Sequence, residues 1–539
     1  ALVVDLLKPQ SHVYLEKLKT PSCRSSVTTD LVNTIPTDHM NSISSEHNRC
    51  DEERPEDSVL DLKNVPVLTP EQEKKLWRKI DLRIMPILSL MYLLAFLDRG
   101  NIGNAMLEGL ITQLDLTGEK INVALSYCMF ECPSNLVLKA IRPSRQVLGS
   151  FRQFFDLILT LHFRYPQFVG VRILLGISEA GLFPGVVYYL TFWYPRHMLQ
   201  YRIGLFFGAA TVAGAFSGLL AFGIGYMGGM GGLEAWSWIF LIEGLATIVV
   251  AIISVFGKCS THLSHRGLTY IYCCSALVDF PETAKFLTPE ERAFVLWKKE
   301  YDNSSVGEEK QFFTRHVWAA FKDWQIWLHI FVYMSIVGPL YGITLFLPFG
   351  YNTPVSQLLT VPPYVAGTVT LLAFAHYSDK LKMRSPFILA GLTMCLIGYS
   401  INISAAPNGV KYFGTYVIVM GSYASLPGVI SWLGNNLSGQ YKRGIGMALE
   451  MSIGNLSAIV AATIYRSQDA PRFIFGHAFE LMFVGIGFTF LPILVFTYRR
   501  INAKRDAAER LAREGEKVQY SHQELRELGD RAPDFRYTL

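Results

Sequence analysis

The chain has 539 residues, half of them hydrophobic and only 17% charged, and its mean hydropathy is +0.26. That balance excludes a string of ordinary soluble domains and places the chain in the membrane class. A net charge of +5 gives no reason to expect a nucleic-acid partner, and eight cysteines without a CxxC or other regular spacing exclude a disulfide framework and a zinc site, so neither metal nor cofactor is expected.

Residues 1–67 are rich in Ser, Thr, Asn, Asp and Glu without a sustained apolar period, and read as a flexible tail. Thr69-Pro70-Glu71 then starts a helix, with a hydroxyl cap, proline in the first turn and acids at the positive end of the dipole. This helix carries Lys74, Lys75, Arg78, Lys79 and Arg83 and leads directly into an apolar run.

Apolar runs of about 20 residues are long enough to cross the hydrocarbon as helices. They fall at 84–105, 121–141, 147–163, 168–194, 203–227 and 235–256, then at 324–349, 355–377, 386–405, 412–433, 445–465 and 473–498. The predicted fold is an all-α polytopic membrane protein with twelve transmembrane helices in two six-helix bundles, 68–257 and 324–498. A central loop, 258–323, joins them, and a charged tail, 499–539, follows. Every second connection is basic: Lys139, Arg142 and Arg145; Arg196 and Arg202; Lys380, Lys382 and Arg384; Lys442 and Arg443; Arg499, Arg500, Lys504 and Arg505. The positive-inside rule then places both termini and the central loop in the cytoplasm. Leu287-Thr288-Pro289-Glu290 repeats Leu68-Thr69-Pro70-Glu71, an internal echo of the kind from which many transporters are built.

Ionisable residues within such runs are costly and are functional candidates by default. In GVRILLGISEAGLFPGVVYYLTFWYPR, Arg172 and Glu179 are seven apart, so they differ by only about 20° in direction and by about 10 Å in height. Both look toward one neighbour, two turns apart. The first run ends in FLDRGNIGNA, which brings Asp98, Arg99, Asn101 and Asn104 to depth. Asp98 is a natural partner for Arg172, and Arg99 for Glu179 or a substrate anion. The alternative is two structural salt bridges between the helices. Glu131 is either a proton carrier or a fixed partner beside the bend at Pro133, while Gly181, Pro184 and Gly185 suit close packing and bending. The second half is poorer in charge at depth; its candidates are Tyr333, Tyr341, Asn435, Asn436 and Asn455. His477 and Glu480 form either a proton relay or an interfacial pair near the outer end of the last run.

These charges and the six-plus-six pattern resemble the major facilitator superfamily, and more closely its fungal anion:cation symporter branch, which includes allantoate permeases and nicotinic acid transporters. The resemblance is carried by RKIDLRIMPILSLMYLLAFLDRGNIGNA, YCMFECPSNLVLKAIRPSR, DFPETAKFLTPEER, QLLTVPPY, SDKLKMRSPF and IGNLSAIVAATIYRSQDAPRF. It implies proton-coupled uptake of a small organic anion such as nicotinate, allantoate or a related vitamin or ureide. The resemblance would place Arg99 and Arg172 on the substrate and give Asp98 and Glu179 proton coupling; the residues themselves add Asn101, Tyr341 and Asn435 as substrate contacts and Glu131 as a proton carrier. A monomer in the plasma membrane without enzymatic activity is the expectation.

Three stretches depart from the family pattern. QVLGSFRQFFDLILTLHFRYP carries Arg152, Asp156 and Arg164 where a span is due; KCSTHLSHRGLTYIYCCSA replaces an apolar continuation; and the connection near Phe349 is short. Translated intron sequence or frameshifts account for the first two and a skipped segment for the third, and transcript sequencing that reproduced all three would overturn that account. The competing functions are a transport-dead or sensor-like homologue and a membrane-embedded transferase, for which no His/carboxylate or paired-acid motif stands out.

Overall fold

The computed structural model describes residues 68–105, 182–256, 280–300, 314–345, 353–465, 472–514 and 528–539, with a few single positions between them. The first helices are α1 (Pro70–Ala105), α2 (Leu182–Trp193), α3 (Arg196–Gly225) and α4 (Ala235–Phe256). Two short helices follow, α5 (Pro289–Glu300) and α6 (Thr314–Phe321). The second half holds α7 (Trp324–Leu345), α8 (Thr353–Leu381), α9 (Ser385–Ile403), α10 (Asn408–Asn436), α11 (Gln440–Gly454), α12 (Leu456–Ile464) and α13 (Ile474–Glu514). Among the described residues, eight helices are long and apolar enough to cross a membrane. The runs expected at 121–141 and 147–163, the first half of the fourth run, and all three departing stretches lie outside the described residues.

The two LTPE echoes form the same device. The Gln72 side chain accepts from the Thr69 amide at 2.9 Å and the Thr69 hydroxyl from the Gln72 amide at 3.4 Å. Glu291 accepts from the Thr288 amide at 3.0 Å and the Thr288 hydroxyl from the Glu291 amide at 3.2 Å. Each is a reciprocal capping box that satisfies two otherwise orphaned amides. The capped helices then clasp one another through Lys79–Glu291 at 2.7 Å and Lys298–Glu73 at 3.1 Å. Burial raises the Glu291 carboxyl, but Lys79 and the Thr288 amide outweigh it and hold it below the usual carboxylate range.

Helix α10 lies at the centre of the second half, with 89% of its apolar window buried against 28% for α8 and 33% for α13, whose outer faces are left for lipid. It approaches α9 so closely that a Cβ on Gly421 would stand 2.5 Å from the Gly391 carbonyl oxygen, a contact only small residues permit. Helix α3 joins the halves by lying along α8, where a Cβ on Gly204 would meet that of Ala375 at 2.8 Å. The Gly- and Ala-rich pattern of α3 is thus a packing surface, as its composition suggests.

The single run expected at 445–465 falls on one span, Tyr441–Ala461, interrupted by a turn at Asn455 whose amide still bonds to the Met451 carbonyl at 2.9 Å and whose side-chain oxygen accepts from the Tyr333 hydroxyl at 3.3 Å. Helix α13 runs 41 residues, well past its apolar part. Residues 528–539 fold back under the second half with Ala532, Phe535 and Tyr537 buried.

Candidate functional site

Asp98 and Asn101 are three apart on α1 and share a face, and both are buried, at 2% and 0% exposure. The Asn101 amide donates to Glu243 Oε2 on α4. Asn104 donates to the Ser217 hydroxyl on α3 at 2.9 Å. Glu243 is itself buried and escaped the sequence reading, although a lone acid in AWSWIFLIEGLAT was the visible signal. Asn101, expected on the substrate, therefore faces a carboxyl in this structure. Two acids buried at bundle depth require protons or cations to balance them, since an uncompensated buried carboxylate costs several kcal/mol. Arg172, Glu179, Glu131 and the Arg99 side chain lie outside the described residues, and so do the expected Asp98–Arg172 and Arg99–Glu179 pairs.

Where the halves meet, six aromatic rings form a continuous core. Tyr92 of α1 lies 4.4 Å from Phe206 of α3 and 5.4 Å from Phe183 of α2, centroid to centroid. Phe207 continues to Tyr423 of α10 at 5.7 Å, and Tyr423 to Tyr364 of α8 at 5.7 Å. All six are at least nine-tenths buried. Such faces suit stacking of a planar solute once the halves part.

The end bearing the basic connections is closed by charge. Arg202 of α3 meets Asp81 of α1 with Nη2 to Oδ2 at 2.9 Å, and the Tyr194 hydroxyl donates to Asp81 Oδ1 at 2.7 Å. Across the junction, Asp379 at the end of α8 accepts from the Tyr201 amide in the second turn of α3 at 2.8 Å and pairs with Arg384 at 2.6 Å. Arg384 also donates to the Arg196 carbonyl at 3.4 Å, and the Ser378 hydroxyl donates to Gln200 Oε1 at 2.7 Å. Arg384 is 2% exposed, and its burial lowers the guanidinium against the restoring pull of Asp379.

The terminal strap reinforces this end. The Arg384 amide donates to the Leu539 carbonyl at 2.6 Å, and the Trp432 indole donates to the Thr538 carbonyl at 2.9 Å. Asn436 exchanges bonds with Thr538 at 3.1 and 2.8 Å. Lys442 Nζ sits 2.6 Å from both Asp323 Oδ2 and Asp530 Oδ1. The Arg196 guanidinium lies 4.6 Å from the Phe535 ring centre. Tyr537 is pushed up to about 12 by burial and then by Asp530. Asn436, read from the sequence as a cavity residue, is occupied with the strap, whose backbone partners no side-chain pattern announces.

In the second half Tyr341 is half-buried on α7 and Asn435 is buried on α10. Glu480 is fully buried on α13 against Gly342 of α7, not at a solvated rim as its place near the helix end suggested, and His477 Nδ1 lies 3.1 Å from the Tyr465 hydroxyl. The expectation of a half poor in charge at depth is corrected further by His329 of α7 and Glu450 of α11. Both are wholly buried, with Nδ1 and Oε1 3.8 Å apart. Neither stood out in the sequence because each is a single polar residue in a long apolar run.

Residues 88–462 match the profile of the Major Facilitator Superfamily. An uncharacterized transporter of Schizosaccharomyces pombe is 35% identical over 485 residues, covering 88% of this chain and 91% of that protein. A high-affinity nicotinic acid transporter of Saccharomyces cerevisiae is 29% identical over 486 residues, covering 88% and 86%. In fold, a proton:xylose symporter solved with 6-bromo-6-deoxy-D-glucose aligns with a TM-score of 0.56 at 15% identity, covering 77% of this chain and 94% of the symporter.

Proposed function

The chain belongs to the major facilitator superfamily, and on that premise we propose that it carries a small organic anion across the membrane together with protons, by alternating access. The observation that carries this reading is the pair of carboxyls buried in the first half, Asp98 beside Asn101 and Glu243 bonded to it. Protonatable groups enclosed within a bundle are what a proton-coupled carrier needs, because their charge must be cancelled before the halves can move past them. The anion is drawn by Arg99, next to Asp98 in the first run, and by Arg172 of the fourth. The aromatic core between the halves offers faces to a planar acid, and the nicotinic acid transporter among the relatives supports that class. Tyr341 and Asn435 contribute uncharged contacts from the second half. Asp98, Glu179 and Glu131 exchange protons as the arginines turn between acid and substrate, since an acid that loses a neighbouring cation binds its proton more tightly.

The protein acts as a monomer in the plasma membrane, with its basic end and both termini in the cytoplasm. Proteoliposomes under an imposed pH gradient test the reading with labelled nicotinate, allantoate and related vitamins. Gradient-dependent accumulation that is lost in Arg172→Ala is the expected result. Accumulation indifferent to the gradient overturns symport, and no uptake of any compound favours a sensor.

A further inference from the structure

Four helices of the second half bring their polar groups to one dry point. Glu450 of α11 and His329 of α7 are 0% exposed, and neither Glu450 oxygen has a hydrogen-bond partner among the described residues. His329 Nδ1 faces Glu450 Oε1 at 3.8 Å, while Nε2 faces the Tyr498 hydroxyl of α13 at 3.2 Å. The Trp432 indole of α10 packs edge-on against the imidazole, with centroids 4.8 Å apart. The titratable and charged groups around this point are Tyr498, then Tyr537, Asp323 and Asp530 beyond it, with Lys442 holding both aspartates; the Asn436 amide also faces the Tyr498 hydroxyl.

The direction of every hydrogen bond in this row follows from its outer end. Asp530 is tied to Lys442 at 2.6 Å and so accepts only. Gln325 must then turn its amide nitrogen toward Asp530 Oδ2, at 3.0 Å, which leaves Gln325 Oε1 facing Tyr498. The Tyr498 hydroxyl spends its one proton on Gln325 Oε1, at 3.1 Å, so toward His329 its oxygen can only accept. His329 must therefore carry a proton on Nε2, and the tautomer of its neutral ring is fixed. What remains is an Nδ1 lone pair looking at a carboxyl oxygen that has no other partner. Two bare acceptors confront each other in a dry site unless a proton lies on one of them.

We propose that Glu450 and His329 form a single-proton binding site in the second half, with the proton on Glu450 Oε1, facing the bare Nδ1 of His329 whose tautomer is set by the row from Asp530 through Gln325 and Tyr498. The proton comes from water. It forms an O–H bond on Glu450, takes the pair from net −1 to zero, and returns to water when that bond breaks. Nothing else is consumed. Lys442, Asp530 and Tyr498 are positioning residues. Use of this proton in transport rests on the proposed symport, but its binding does not, and the experiment reads binding alone.

Infrared difference spectra of the purified full-length protein are taken as the pH is stepped from alkaline to acid. All other carboxyls are common to the two proteins, so wild type minus Glu450→Gln isolates this group. A protonated-carboxyl band that grows on acidification in wild type and is missing from Glu450→Gln is the expected result. Superposable titrations of the two proteins overturn the site. Tyr498→Phe keeps the ring and deletes the hydroxyl that fixes the tautomer, and it serves even where Glu450→Gln does not fold. The midpoint of the band should move by about one pH unit; an unmoved midpoint overturns the proposal.

Discussion

The two ends of α3 hold the halves of the molecule together by different physics. At its start, Arg196, Gln200 and the Tyr201 amide are engaged by Ser378, Asp379, Arg384 and the terminal strap, nearly all in directional bonds between buried groups. Further along, the contact with α8 is a smooth seam in which the Thr211 and Thr368 hydroxyls, 2.6 Å apart, make the only hydrogen bond between these two helices among those described beyond the first two turns. Past Gly214, which faces the Tyr364 ring, Phe216, Leu219 and Leu220 turn outward. Ion pairs in a dry site are exacting about geometry and fail together once one member is lost. Dispersion and one hydroxyl pair tolerate sliding. Among the described residues the basic end thus carries a latch and the seam a bearing surface.

The largest way to break that contrast is Asp379→Ala. It removes the acceptor of the Tyr201 amide and strands the buried Arg384, so a loss of about 3–5 kcal/mol is expected, read as a fall in unfolding midpoint. Thiol accessibility of cysteines placed at the basic end should rise with it. Lys442→Met comes next, because it leaves Asp323 and Asp530 facing one another without their cation. The strap should loosen, with faster hydrogen exchange over residues 528–539 and a cost of about 2–4 kcal/mol.

The seam should be less sensitive to charge and more sensitive to volume. Gly204→Val drives a side chain into Ala375 and should cost about 1–3 kcal/mol, with the closed state disfavoured in crosslinking between α3 and α8. Thr211→Val removes the hydroxyl pair alone and should cost about 1 kcal/mol or less. The smallest effect is on the clasp between the two capped helices. Glu291 is held below its ordinary value of 4.5, so the stabilisation from Lys79–Glu291 is complete above that value and is lost as pH falls through the lowered one. A partly exposed pair contributes a few tenths of a kcal/mol, and Lys79→Ala should flatten the acid limb of a stability–pH curve by that amount.

The long elements were legible because each rests on local chemistry. The helix starts at Thr69 and Thr288 follow from hydroxyl, proline and acid at fixed spacing, and α4 occupies the stretch its apolar run marks. The turn at Asn455 was not legible, since no proline interrupts the run, and the Tyr333 hydroxyl that meets its side chain comes from another helix. The same holds for the buried chemistry. Asp98 announced itself beside Arg99, but Glu243, His329 and Glu450 are solitary polar residues whose meaning depends on how far each helix is rotated about its axis. Sequence periodicity finds a face; it does not name what lies opposite. The family resemblance read from FLDRGNIGNA and its companion motifs agrees with the superfamily match over residues 88–462.

Helix α13, with 41 residues, is about 60 Å long, roughly twice the hydrocarbon thickness of a bilayer. Its outer part is a continuation of a span rather than a separate tail, and it grips the strap through Asn502 and Arg505. It is therefore a lever continuous across Pro492, where one ladder hydrogen bond is missing. A load applied at the exposed Leu511 reaches the second half as torque, and a fluorophore fixed there reads the tilt of that half directly, turning by turn, without touching the site it reports on.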